Sequence, residues 1–288
     1  MTTKTDLVEA IKSNTLLLNP DIKLSTLHFG YKFATENGYV NSVKLFLDDP
    51  RTDPAIDANY AIKVASKNGH TEVVKILLTN DKVDPTVLHN YPIRVAVENN
   101  KFGTLVLLLA DPRTDATKPD NDAIITAIQL GHINIIRLLI NHLTIKDELT
   151  PILLSECLIT ASKYGHLDIV KLFYNIFPTG MDYCLRLNEI LSSAVEYGQI
   201  HIVKFLLHDY RSDPTFNKSE MMNIAKEKKY MEILKLLYRA NEKNSIFNNS
   251  MESVQKVKKL IDVGFIDADN IKFSLDGTKR KIIIEFDL

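Results

Sequence analysis

The chain has 288 residues, 45% of them hydrophobic and 25% charged, with a net charge of −1. That is ordinary globular composition, enough to bury a core, and it provides no global basic field to hold nucleic acid or an acidic membrane. Two cysteines, Cys157 and Cys184, exclude a disulfide framework and a thiolate metal site, and they suit a reducing compartment.

The N-terminus, MTTKTDLVEAIKSN, has no signal-peptide apolar region, and no apolar run approaches the roughly 18 residues of a membrane span. Residues 5–18, TDLVEAIKSNTLLL, read as a capping helix with Thr5 or Asp6 at its start. A repeating phrase follows, typified by ASKNGHTEVVKILL at 65–78. Taking the glycine of "NGH" as an anchor, the anchors are Gly38, Gly69, Asn100, Gly131, Gly165, Gly198 and Lys229, at spacings of 31, 31, 31, 34, 33 and 31 residues. Four positions before each stands alanine: Ala34, Ala65, Ala96, Ala127, Ala161, Ala194 and Ala225. Seven before it stands a larger apolar residue, from Tyr31 to Met222, so the two positions share one face of a helix.

A second helix follows each anchor, with apolar residues five, eight and nine positions on, such as Val74, Leu77 and Leu78. The alanine fits a close helix approach, and glycine at the anchor permits a left-handed turn. Asn100 adopts that conformation tolerably; Lys229 pays more, so the last turn is expected to differ. A unit of about 31 residues cannot bury its stripe alone, whereas stacked neighbours bury it continuously.

Between units, DDPRTDP (48–54), NDKVDP (80–85), ADPRTDA (110–116) and HDYRSDP (208–214) read as extended fingers. Arg51, Lys82, Arg113 and Arg211 recur thirteen residues after their anchors, and Asp53, Asp84, Asp115 and Asp213 fifteen after. The aspartates can tie down the turns; the cations form a row that could meet an acidic or aromatic partner surface. Two fingers break the pattern, NHLTIKDELTP at 141–151 and NIFPTGMDYCLRL at 175–187. The second carries Ile176, Phe177, Met181 and Tyr183 in an exposed connection, the composition of a contact hot spot or of a self-packed loop. In the tail, residues 251–270 read as a degraded second helix plus finger, and 271–286 as two β-rich runs around Asp276-Gly277, a hairpin signal.

The phrase NGHTEVVKILL resembles the core of an ankyrin repeat, and the resemblance covers roughly residues 28–243. Two departures stand out: YAIK at 60–63 replaces the family's Thr-Pro-Leu-His opening, and the Asp-Pro-Arg-Thr-Asp-Pro finger replaces Gly-Ala-Asp-Val-Asn. That finger is similar to those of ankyrin proteins of large DNA viruses of amoebae and of some amoebae. The resemblance implies an all-α solenoid of about seven helix pairs, with an N-terminal cap (1–27), repeats (28–243) and a C-terminal cap (244–288) ending in a β-hairpin. It also implies contacts through the concave surface of fingers and first helices.

Catalytic signatures are missing. The sequence has no HExxH, no CxxC, no glycine-rich phosphate loop and no nucleophile elbow. His70, His132 and His166 follow anchor glycines and read as structural. The expected function is therefore a non-enzymatic, monomeric protein-binding module in the cytoplasm, the host's if the source is viral, with the nucleus open. It would act as adaptor or decoy for another protein, possessing no catalytic, cofactor or metal residues and no nucleic-acid, membrane or small-molecule partner. The expected contacts are Arg51, Lys82, Arg113, Arg211, Ile176, Phe177, Met181 and Tyr183. The alternative is an assembly component that self-associates through its terminal hairpin.

Overall fold

The structure, a computed structural model, describes residues 3–115, 121–145, 149–176, 183–208, 218–242, 271–276 and 281–286. A short first helix, α1 (Lys4–Lys12), precedes seven helix pairs. These are α2 (Leu24–Asn37) with α3 (Val40–Asp48), α4 (Ile56–Asn68) with α5 (Thr71–Leu78), α6 (Val87–Glu98) with α7 (Phe102–Ala110) and α8 (Asp122–Gln129) with α9 (Ile133–Ile145). They continue with α10 (Pro151–Tyr164) and α11 (Leu167–Ile176), α12 (Tyr183–Glu196) and α13 (Ile200–Leu207), and α14 (Lys218–Glu227) and α15 (Met231–Glu242). Strands β1 (Ile271–Asp276) and β2 (Lys281–Phe286) pair antiparallel, with Phe273 opposite Ile284. Their connection, including Gly277, and the expected degraded repeat at 251–270 lie outside the described residues.

The chain divides into two compact units, 1–161 with 171–177, and 162–170 with 178–288. In the first, α2, α4, α6 and α8 pack in succession, and α3, α5, α7 and α9 form a second row. In the second, α12 packs on α14 and α13 on α15.

Each pair is built around its turn. The five anchor glycines have φ between 71° and 81°, and Asn100 and Lys229 take the same left-handed conformation at 55° and 59°. Lys229 therefore does not alter the last turn as expected. The N–H after the anchor reaches back to the recurring alanine's carbonyl, as in Tyr39 to Ala34 (2.9 Å), His70 to Ala65 (2.9 Å) and Tyr230 to Ala225 (2.7 Å). This is the six-to-one bond of a Schellman motif, and it satisfies a carbonyl that the helix end would otherwise leave open. All seven alanines are fully buried.

A second requirement acts on the anchor glycine, from the next repeat. A Cβ on Gly38 would lie 2.6 Å from the His70 ring, and one on Gly198 would lie 2.8 Å from the Tyr230 ring. The residue after the anchor thus covers the preceding anchor at Gly38, Gly69, Gly165 and Gly198. His70 adds a bond between its Nε2 and the Glu36 carbonyl at 2.8 Å, a structural role.

The second helices differ from the expected stripe by one position. Residues five and eight after the anchor are buried, such as Val74 and Leu77, but those nine after are mostly half-buried. The third buried row lies four after the anchor: Ser42, Val73, Thr104, Ile135, Ile169, Ile202 and Ile233, each at most 2% exposed. Ser42 and Thr104 masked that row to a hydrophobicity reading.

Several boundaries also move. The first helix starts at Lys4, capped by Thr3 rather than Thr5 or Asp6. The Thr3 hydroxyl accepts the Asp6 N–H at 3.1 Å, and the Asp6 carboxylate accepts the Thr3 N–H at 2.9 Å. It ends at Lys12 instead of residue 18, because Asn14 turns left-handed at φ 55°. Residues 141–145 continue α9, and 175–176 continue α11, so the irregular connections are shorter than expected.

The covered turn makes opposite predictions for two residues of one unit. Gly198→Ala forces alanine into a left-handed turn against Tyr230 and lowers stability by about 1–2 kcal/mol. Lys229→Gly relieves the same backbone cost at an exposed position and raises stability by about 0.5–1 kcal/mol. Urea unfolding followed by circular dichroism reads both signs.

Candidate functional site

The fingers lie between α3 and α4, α5 and α6, and α7 and α8. In the first, the Asp49 carboxylate accepts the Arg51 N–H (3.0 Å), Nε (3.0 Å) and Nη2 (2.6 Å). The other guanidinium protons go to backbone carbonyls of the preceding segment: Pro20 at 2.6 Å, Asn19 at 3.3 Å and Ile22 at 3.4 Å. Arg113 repeats the arrangement. It forks onto Asp111 at 2.8 and 2.6 Å and donates to the carbonyls of Val83 and Leu78, both at 3.0 Å, in the preceding finger and helix.

Such a fork needs a planar guanidinium and is beyond lysine. Accordingly Lys82 keeps only the turn, its backbone N–H donating to Asn80 Oδ1 at 3.0 Å, and its side chain is exposed. Arg51 and Arg113 are therefore struts between neighbouring segments, and the row of free cations expected from the sequence is reduced to Lys82 among the described fingers. Arg211 lies outside the described residues. Two of the aspartates tie down their turns: Asp53 Oδ1 accepts the Ala55 N–H at 3.0 Å, and Asp84 Oδ1 accepts the Thr86 N–H at 2.8 Å.

The hydrogen bonds from Arg51 hold the Asp49 carboxyl below the usual carboxylate range, and those from Arg113 do the same for Asp111.

Of the expected loop contacts, Ile176 ends α11 and is 37% exposed. Tyr183 opens α12, with its side chain outside the described residues, as are Phe177 and Met181. The structure thus describes one side chain of these loop contacts, that of Ile176.

It does bring together a set that the sequence reading missed, on the first helices α2, α4 and α6. Nine residues before the anchors stand Phe29, Tyr60 and Tyr91, and six before stand Lys32, Lys63 and Arg94. All six are half-buried. Phe29 stacks on Phe33 with centroids 6.4 Å apart, and Lys4 sits 4.8 Å over the Phe29 ring. Lys32 pairs with Asp57 at 2.5 Å and lies 5.5 Å over Tyr60. Lys63 donates to the Asp57 carbonyl at 3.3 Å, and Arg94 lies 5.5 Å from the Tyr91 centroid. The periodic signal is present at fixed offsets but lies outside the buried stripes.

Left-handed turns fix the start of this face. Asp57, Ala58 and Asn59 have φ of 54°, 52° and 59°, and Leu88, His89 and Asn90 have 52°, 57° and 59°. Asn59 is buried there, and its Oδ1 accepts the Asp84 N–H of the next finger at 2.8 Å. This asparagine joins the first helix to the next finger. Pro92 follows the second left-handed turn, so it sits in the first right-handed turn, where its missing N–H costs little.

Among the described residues no group of histidine, cysteine and carboxylate side chains could hold a metal ion, and no helix is long and apolar enough to cross a membrane. Burial pushes the Cys157 thiol well above its ordinary range, which keeps it protonated and unreactive. A groove of about 490 Å³ is lined mainly by leucine and proline from 16–20 and 45–51, together with Asp48, Asp49 and Arg51.

Two measurements test the struts. Arg113→Lys removes the fork and costs about 1 kcal/mol, read by thermal or urea unfolding. Because the Asp111 pKa is lowered on folding, the strut's contribution is whole above the unfolded carboxylate pKa and fades as pH falls below about 4. The stability gap between the native chain and Asp111→Asn is accordingly constant from pH 8 to 5 and narrows below pH 4; a gap that widens on acidification contradicts the strut.

The family model for ankyrin repeats (three copies) matches residues 31–120 and 93–183. No curated protein matches the chain. Among solved structures, the human ASB11 ankyrin repeat domain is similar at 13% identity, over 77% of this chain and 86% of that one, with a TM-score of 0.45. Matched across more than half its length, and folded as a series of helix pairs closed by the same turn, the chain belongs to the ankyrin-repeat family.

Proposed function

We propose that this chain is a non-enzymatic module that binds another protein through the first-helix face of α2, α4 and α6. The observation that carries this reading is the regular presentation of Phe29, Tyr60 and Tyr91 beside Lys32, Lys63 and Arg94, all half-buried. Rings and cations already held by packing and short contacts lose little freedom on binding, which favours affinity. Lys82 and Ile176 extend the contact set where a partner is large enough to reach them. Arg51 and Arg113 contribute by fixing the fingers that border the face.

The module acts as an adaptor or decoy in the cytoplasm. The Asp-Pro-Arg-Thr-Asp-Pro finger supports a viral or amoebal source, and residues 244–288 serve as the C-terminal cap. A second reading, self-association through the tail, is supported by the strand register. It sets Ile271 opposite Phe286, Phe273 opposite Ile284 and Leu275 opposite Ile282. Light scattering over a range of concentrations reads that alternative: a constant mass removes it.

The test of the main reading is site-specific photo-crosslinking in amoebal lysate. A benzophenone side chain at Tyr60 or Tyr91 is expected to capture a discrete protein, and the same group at Lys44 or Lys75 on the second helices is not. Capture from the second helices alone overturns the assignment of this face.

A further inference from the structure

The chain of repeats begins with half a unit. In α1, Ala10 stands four residues before Asn14 and Leu7 seven before, the offsets of the alanine and the larger apolar residue in the other units. Asn14 is left-handed at φ 55°, and the Thr15 N–H reaches back to the Ala10 carbonyl at 3.0 Å, so α1 ends in the same closed turn. No second helix follows it. In the next four units that helix begins two residues after the anchor, at Val40, Thr71, Phe102 and Ile133. After Asn14 only residues 15–23 precede α2, and none of them is helical.

The missing helix leaves a register uncovered. Along the second row, α3 packs on α5, α5 on α7 and α7 on α9. A groove between the last two is lined by Phe102 of α7 with Leu138 and Asn141 of α9. Residues seven and ten after the anchor therefore look back to the preceding second helix. Position seven is apolar in all seven pairs, from Leu45 to Leu236. Ile76, Leu107 and Leu138 are half-buried there, whereas Leu45, with no second helix before it, is 41% exposed. The groove of about 490 Å³ opens at this place, between Leu45 and the leucines at 16–18, of which Leu17 is 90% exposed.

The same chain carries a second-helix sequence without a first helix of its own. Val-Lys-Lys-Leu-Ile at 257–261 repeats Val-Lys-Leu-Phe-Leu (43–47), Val-Lys-Ile-Leu-Leu (74–78) and Val-Lys-Phe-Leu-Leu (203–207). The segment lies outside the described residues, and the likeness is one of sequence. It departs at Lys259, which takes the register of Leu45 and its equivalents. That flank meets the preceding unit, so a lysine there suits a helix with nothing before it. Stacked after another unit, the same lysine would enter an apolar contact and lose its solvation. Val254 takes the register of Phe102, which borders the following helix, and Ile261 falls seven residues on, at the same flank of a helix.

We infer that residues 254–261 of a second copy dock in the groove beside α3 and supply the second helix that the first unit lacks, so that copies join head to tail. The contact is heterologous: the start of one copy meets the tail of another, and each copy keeps one free end. Val257 and Leu260 take the buried registers of Val43 and Phe46, and Ile261 covers Leu45. Charge does not oppose the docking. Of the three charged residues lining the groove, Asp49 and Arg51 are paired with each other at 2.6 Å, and the third is the acid Asp48, against a segment bearing Lys256, Lys258 and Lys259. The first-helix face takes no part, so the inference does not rest on the binding reading above.

Size-exclusion chromatography with light scattering on the whole chain, over a wide range of concentrations, tests it. The mass is expected to rise with concentration above the 32.7 kDa of one chain. Leu45→Glu or Leu17→Glu, both at exposed positions, holds it at one chain, and so does Val257→Glu with Leu260→Glu. Mixing Leu45→Glu with the Val257→Glu, Leu260→Glu variant restores one junction and stops at two chains, because one partner keeps the segment and the other keeps the groove. A native mass constant at one chain, growth that survives both Leu45→Glu and Leu17→Glu, or a mixture that stays at one chain while each variant melts like the native protein overturns the inference. Growth lost only with Ile284→Glu assigns association to the hairpin and overturns it as well. None of these outcomes bears on the cross-linking test of the first-helix face.

Discussion

Each repeat depends on a turn that two repeats build together. The first helix ends in a left-handed residue whose successor bonds back to a buried alanine, and at Gly38, Gly69, Gly165 and Gly198 the following repeat then lays a side chain over that residue. His70 over Gly38 and Tyr230 over Gly198 show the contact in its fullest form, with no room for a Cβ beneath the ring. The bond closes the helix, the missing Cβ lets the neighbour approach, and the fully buried alanines record how close the helices come. Local chemistry and stacking are satisfied by the same few atoms, which explains the tight constraint on the phrase around each anchor while its solvent-facing letters vary.

The fingers show a division of labour between residues of like charge. Arg51 and Arg113 spend their guanidinium donors on an aspartate two residues back and on carbonyls of the segment before. Lys82, at the same position, cannot fork and stays in solvent. Asn59 links first helix and next finger from the other side. In these two fingers the arginine charge is architectural.

The repeat period, the anchors, the helix pairing and the buried rows five and eight residues after the anchor were legible in the sequence, because hydrophobic spacing and turn chemistry report them directly. The row four residues after the anchor was not, because Ser42 and Thr104 interrupt it with polar atoms that are buried all the same. The turn at Lys229 was misjudged because a propensity cost near 1 kcal/mol is small beside the packing of a whole repeat. The site was the least legible part. Arginine at a finger tip looks like a free cation until the carbonyls it reaches, about thirty residues earlier, are brought beside it by the fold. The ring and cation registers on α2, α4 and α6 were written at fixed offsets, yet they matter only once three helices lie side by side.

The central claim is that the partner lies across α4 and α6. Hydrogen–deuterium exchange on the chain with its cross-linked or purified partner bound tests it most directly. The account predicts slowed exchange at 57–67 and 88–98, with the second helices at 71–78 and 102–110 unchanged. Protection confined to those second helices, or to 271–286, would contradict it.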